Sequence, residues 1–141
     1  MDDIYRAEII DHYKHPRNFG PPPLKLREGD RIVVAKEANA SCGDMIEMGM
    51  RLKIENCKLK IDEIKFRGIG CAISTAAGSL LTEAILGKTV EAVKQLTDKD
   101  MVGLLGIEVS PTRMKCALLP LRALQKALRL PFGYAQGKRS G

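Results

Sequence analysis

The sequence predicts an α+β fold: a small antiparallel sheet of about three strands, with helices packed on one face and one helix ahead of the sheet. Two observations carry this. Residues 46–54 alternate strictly, with Ile46, Met48, Met50, Leu52 and Ile54 set against Glu47, Gly49, Arg51 and Lys53, the period of a half-buried strand. After residue 72 the pattern changes to helical spacing punctuated by caps, glycines and prolines.

The elements follow in order. Residues 2–14 read as a helix capped by Asp2 or Asp3, with Ile4, Ala7, Ile10 and Tyr13 on its apolar face. His15-Pro16 ends it, because the residue before proline avoids the helical region. Asn18 to Gly29 is a loop containing Pro21-Pro22-Pro23, and the segment through about Pro23 is expected to be more mobile than the core. Arg31 to Lys36 reads as a short strand and Met45 to Ile54 as the long one. Glu55 to Lys58 turns the chain. Leu59 to Arg67 forms a third strand, with a bulge expected at Asp62-Glu63 where the alternation slips.

Ile73 to Leu86 predicts a helix stopped by Gly87. Thr89 caps a short helix through Leu96, and Asp98 to Leu105 forms another short piece. Ser110-Pro111 opens the last helix, which runs to about Leu130 with Leu118, Leu121, Leu124 and Leu128 along one side. Pro120 is expected to kink it. Residues 1–130 thus read as a single domain, followed by a Gly-rich, basic and disordered tail over 131–141.

Composition narrows the function. The 141 residues carry 23 basic and 17 acidic side chains, a net charge of +6. Only three Phe, three Tyr and no Trp are present, so there is no stacking platform for bases, and nucleic-acid binding is not expected. An acidic protein partner suits the charge better. No apolar run reaches the roughly 18–20 residues that cross a bilayer, so no membrane association is expected. The start Met1-Asp2-Asp3 lacks the basic character of a targeting peptide, which points to the cytoplasm.

Four cysteines stand at 42, 57, 71 and 116. In a reducing compartment they are expected as thiols or metal ligands rather than disulfides. Three occupy transitions between elements. Cys42 precedes the long strand within Ser41-Cys42-Gly43-Asp44. Cys71 lies between the last strand and a helix, after Gly68-Ile69-Gly70. Cys116 sits in the early turns of the final helix. Such places present free backbone N–H groups that stabilise thiolates and sulfide. Gly43, Gly68 and Gly70 let the backbone come close to a bulky sulfur cluster.

Each cysteine taken singly is more often a buried structural thiol. Three in such settings point to soft-metal chemistry: zinc, Cu(I) or an iron–sulfur cluster. Asp44 either caps a turn or completes a Cys3Asp set whose harder oxygen ligand holds a cluster loosely. Lys115 is a surface lysine or a charge that favours the neighbouring thiolate. His12 and His15 read as solvated residues at a helix end.

Four segments together resemble the IscU/NifU/SufU family of iron–sulfur cluster scaffolds over residues 1 to about 130. They are Asp11-His12-Tyr13-Lys14-His15-Pro16-Arg17-Asn18, Ser41-Cys42-Gly43-Asp44, Gly70-Cys71-Ala72-Ile73-Ser74 and Ser110-Pro111-Thr112-Arg113-Met114-Lys115-Cys116-Ala117. The resemblance implies that Cys42, Cys71 and Cys116 are ligands, with Asp44 as fourth ligand or lability switch and Gly43, Gly70 and Lys115 in support.

It implies a scaffold that takes iron, accepts sulfur from a cysteine desulfurase, builds a labile 2Fe–2S cluster and passes it to apo iron–sulfur proteins, with a homo-oligomer allowed when the cluster is bound. Its alternative is a zinc-dependent sulfurtransferase of the SufU type, holding Zn2+ on the same four residues. Cys57 matches no family motif. Lys115 replaces the histidine usual in IscU proteins, as in SufU proteins, yet the SufU insertion of about twenty residues before the third cysteine is missing. Val109-Ser110-Pro111-Thr112-Arg113 stands where bacterial IscU has its chaperone-docking Leu-Pro-Pro-Val-Lys.

Overall fold

The computed structural model describes residues 2–40 and 43–129, with side chains from residue 6 onward. Cys42, the end of the last helix at Leu130 and the tail 131–141 lie outside the described residues. The element order is α1 (Asp2–Lys14), β1 (Arg31–Asn39), β2 (Asp44–Glu55), β3 (Lys58–Ile69), α2 (Ala72–Ile85), α3 (Val90–Val93), α4 (Asp98–Leu105) and α5 (Pro111–Arg129).

The three strands form one antiparallel sheet in the order β1-β2-β3. The alternation of β2 sets its register, because Ile46, Met48, Met50 and Leu52 must all face the helices, and all four are buried. α5 lies against β1 and β2, and α2 lies against β3 and α5. At the α2–β3 contact, Gly78 meets the Phe66 ring so closely that a Cβ there would stand 2.6 Å from the ring carbons. On the sheet's other face Pro22 covers Gly49, where a Cβ would stand 2.6 Å from the proline ring.

The bulge falls where the slipped alternation places it. Arg51 pairs with Glu63 and Leu52 with Ile61, so Asp62 is the extra residue of β3. This returns Ile61, Ile64 and Phe66 to the core side. The turn between β2 and β3 has Asn56 at φ 54° and Cys57 at φ 64°, the left-handed pair that matches strand twist in a two-residue hairpin.

Caps define the helical half. Thr89 accepts from Ala92 N at 3.2 Å, and α3 is one turn rather than a helix reaching Leu96. Thr97 and Asp100 form a reciprocal capping box at α4, and Gly106 closes it in the left-handed conformation at φ 71°. At α5 the Ser110 carbonyl accepts Arg113 N–H at 2.9 Å, and Pro120 lies buried inside the helix.

α1 departs from its expected orientation. Ile10 and Tyr13 are each 47% exposed, whereas Ile9 and His12 are buried against α2. The physical reason is a polar contact that apolar periodicity cannot register: His12 Nδ1 lies 2.7 Å from Ser79 Oγ. His12 is therefore not the solvated residue its place in the sequence suggests, while His15 is exposed. Beyond the helix, Asn18 to Gly20 run along β3. Phe66 N–H donates to Asn18 O and Gly20 N–H to Phe66 O, both at 2.9 Å, and the Phe19 and Phe66 rings meet edge to face at 5.3 Å.

Candidate metal centre

Three elements end or begin at one place. β2 starts with Asp44, directly after Gly43, whose φ of +78° is one that glycine adopts without strain. β3 runs out at Ile69, and Cys71 is the N-cap residue of α2 in an extended conformation. α5 brings Cys116 from the other side of the core. One carboxylate oxygen of Asp44, Cys71 Sγ and Cys116 Sγ all lie within 4.8 Å of one another. Asp44 is 7% and Cys116 5% exposed, and Cys71 is half-buried.

Hydrogen bonds hold the carboxylate in place. Ser74 Oγ donates to Asp44 Oδ2 at 2.9 Å, and Cys71 N–H donates to the same oxygen at 3.4 Å. The second contact uses one of the free N–H groups at the start of α2, which favour negative charge. Lys115 is exposed on α5 and lines a cleft with Asn39, Ala40 and Leu119 beside the site. It makes no ion pair among the described residues.

Two soft thiolates and one carboxylate are a donor set for zinc or iron rather than for magnesium or calcium, which take oxygen shells. Two sulfur ligands on one tetrahedral ion stand about 3.8 Å apart, given metal–sulfur bonds of about 2.3 Å. The observed 4.8 Å spread needs only a small side-chain adjustment to close on a single ion, so the residues fit such a group.

Of the residues expected at the site, Asp44, Cys71 and Cys116 are brought together, with Gly43 and Gly70 in the adjoining loops. Cys42 lies outside the described residues. Cys57 is exposed at the hairpin tip, near Thr89, Glu91 and Lys94. Sequence reasoning did not single out Ser74. Its signal was present in Cys71-x-x-Ser74, a capping spacing in which the serine falls in the first helical turn.

The NifU-like N-terminal domain model matches residues 4–135. The chain belongs to that family. Among similar proteins is one from Bacillus subtilis named zinc-dependent sulfurtransferase SufU, 36% identical, with 91% of each chain covered. A Streptococcus pyogenes protein named iron–sulfur cluster assembly scaffold protein IscU is 30% identical, covering 92% of this chain and 85% of the relative. The two alignments run over 145 and 146 positions, more than the 141 residues here, so each relative has residues without a counterpart in this family member.

Among solved structures, the SufU protein of Fervidobacterium islandicum AW-1, described as a candidate cluster assembly scaffold of the SUF system, shares 26% identity at a TM-score of 0.59. That match covers 90% of this chain and 98% of the other.

Proposed function

We propose that this chain is an iron–sulfur cluster assembly scaffold. It binds iron, accepts sulfur from a cysteine desulfurase, assembles a labile 2Fe–2S cluster on Cys42, Asp44, Cys71 and Cys116, and passes the cluster to apo-proteins. The observation that carries this reading is the convergence of Asp44, Cys71 and Cys116 from three separate elements. Family membership supports it, as do relatives named as scaffolds in bacteria and archaea.

The protein acts as a carrier rather than a catalyst, since the cluster is its cargo. Cys71 is more open than Cys116 and is the one an incoming sulfur donor reaches first. The buried pair, Asp44 and Cys116, holds iron from the core side. A site with one oxygen ligand binds less tightly than four thiolates, and the Asp44 bond is the one an acceptor thiolate displaces. Lys115 offsets the negative charge of the loaded site. No helix of the described residues is long and apolar enough to cross a membrane.

A second reading is favoured by two observations: a 36% identical relative is named a zinc-dependent sulfurtransferase, and the donor atoms are compact enough for one ion. Here the same residues hold Zn2+, which keeps the thiolates deprotonated, and one of them takes sulfur from the desulfurase. Anaerobic purification with metal and sulfide analysis separates the two. Iron and acid-labile sulfide with visible charge-transfer bands are expected of the scaffold, whereas one colourless zinc per chain favours the transferase.

A further inference from the structure

Ser74 is completely buried at the third position of α2. Its hydroxyl stands 2.9 Å from Asp44 Oδ2 and 3.4 Å from both Cys71 Sγ and the Cys71 carbonyl oxygen. A serine has one hydroxyl proton. The shortest contact, to an acceptor-only carboxylate, takes it, so the hydroxyl is committed to Asp44. Gly70 closes the other side. A Cβ there would stand 2.7 Å from Ser74 Oγ, too close to leave the hydroxyl where it is. Gly70 is not among the residues with positive φ, so alanine at this position meets no left-handed-backbone penalty. What demands glycine is the room taken by one oxygen atom.

We infer that Ser74 is a positioning residue of the Asp44 carboxylate, and that position 70 is glycine because Ser74 must reach it. This rests on the reading of Asp44, Cys71 and Cys116 as a metal site. An oxygen already engaged by a hydroxyl is a poor second ligand atom, so Asp44 is biased to bind an ion through a single oxygen. Partners of ligating carboxylates fix their orientation in this way, and losing one typically weakens metal binding 10–100-fold. Ser74 therefore sets how firmly the weakest ligand holds, without touching the ion.

Cobalt(II), added to the full chain under anaerobic conditions, is the probe. Its visible spectrum reports the number and type of ligands, and a competing chelator reports its affinity and release rate. Ser74→Ala and Gly70→Ala are each expected to weaken cobalt binding about 10–100-fold and to shift the visible bands. The double variant should be no weaker than Ser74→Ala alone, because alanine at position 74 has no oxygen for the new methyl to strike. In an Asp44→Ala background Ser74→Ala should add nothing.

Wild-type spectrum and affinity in Ser74→Ala, or additive losses in the double variant, would overturn the inference while leaving the metal site standing. Failure of the wild-type chain to bind cobalt would instead remove the metal site and this inference together. Should Ser74→Ala not fold, Gly70→Ala keeps the serine and decides the question alone: an unchanged spectrum refutes the positioning role, and a weakened, shifted site supports it.

Discussion

His12 Nδ1 lies 2.7 Å from Ser79 Oγ, and the same hydroxyl accepts the Arg17 N–H at 2.8 Å. One buried oxygen on α2 thus fastens both the last turn of α1 and the chain that leaves it. Asn18 Nδ2 adds a donation to Thr82 Oγ1 at 3.2 Å. Replacing His12 by alanine leaves the Ser79 hydroxyl short of a buried partner, which costs about 1–3 kcal/mol. Chemical denaturation should show that loss with an unchanged m-value. A cost below a few tenths of a kcal/mol would mean that the contact holds nothing.

Apart from this anchor, the described side chains of α1, residues 6–14, bury little. Ile9 and His12 face inward and the side chains on either side of them are exposed. Backbone amides of residues 6–14 are therefore expected to exchange with solvent faster than those of residues 46–54, whose strand lies between two others. Equal protection by hydrogen-exchange mass spectrometry would contradict this.

The four cysteines should separate by function and by access. Cys42→Ser, Cys71→Ser and Cys116→Ser are each expected to abolish cluster reconstitution, and Cys57→Ser to leave it unchanged. In the metal-free protein, alkylation should be fast at exposed Cys57, slower at half-buried Cys71 and slowest at Cys116, which is 5% exposed. Loss of the cluster in Cys57→Ser, with retention in Cys71→Ser, would reverse the assignment.

Asp44→Cys exchanges the weak oxygen ligand for a thiolate. The variant should keep the cluster, shift its absorption and pass it to an apo-ferredoxin more slowly than wild type. If Asp44 serves only its hydrogen bonds to Ser74 and Cys71, spectrum and transfer rate stay at wild-type values and only stability changes, by about 0.5–2 kcal/mol.

Asp62, the extra residue of the bulge, gathers charge. Its carboxylate accepts from Arg51 Nη2 at 2.8 Å and pairs with Arg27, which fastens the proline-rich loop to β3. The hydrogen bond from Arg51 holds its pKa below the ordinary 3.8, against the opposing pull of burial. A carboxyl with a lowered folded-state pKa binds fewer protons in the folded state than in the unfolded one. Its contribution is complete above the unfolded value and is lost as pH falls through the folded value. Asp62→Asn should therefore lower stability at pH 7 and flatten the decline of stability below about pH 4. Acid titrations that superimpose on wild type would show that the cluster of charges is solvent-screened.

The legible parts of this protein were those written in local pattern. The period-two run of β2, the slip at Asp62-Glu63 and the Thr89 cap each depend on neighbours a few residues apart, so the sequence displays them directly. The candidate site was legible as a list, because three cysteines at element boundaries, two of them beside glycine, together point to soft-metal chemistry. The sequence by itself therefore determined the α+β order, the alternating buried face of β2 and the candidates Cys42, Asp44, Cys71 and Cys116.

Tertiary structure alone decided which side of α1 faces inward, that the start of the second strand, the start of the second helix and the last helix bring Asp44, Cys71 and Cys116 within 4.8 Å of one another, and that Ser74 lies behind Asp44. Each of these depends on a contact between residues distant in sequence. His12 and Ser79 are 67 positions apart and Asp44 and Ser74 are 30. A hydrogen bond over such a span leaves no periodic trace, since its partners meet only after the sheet and helices have packed.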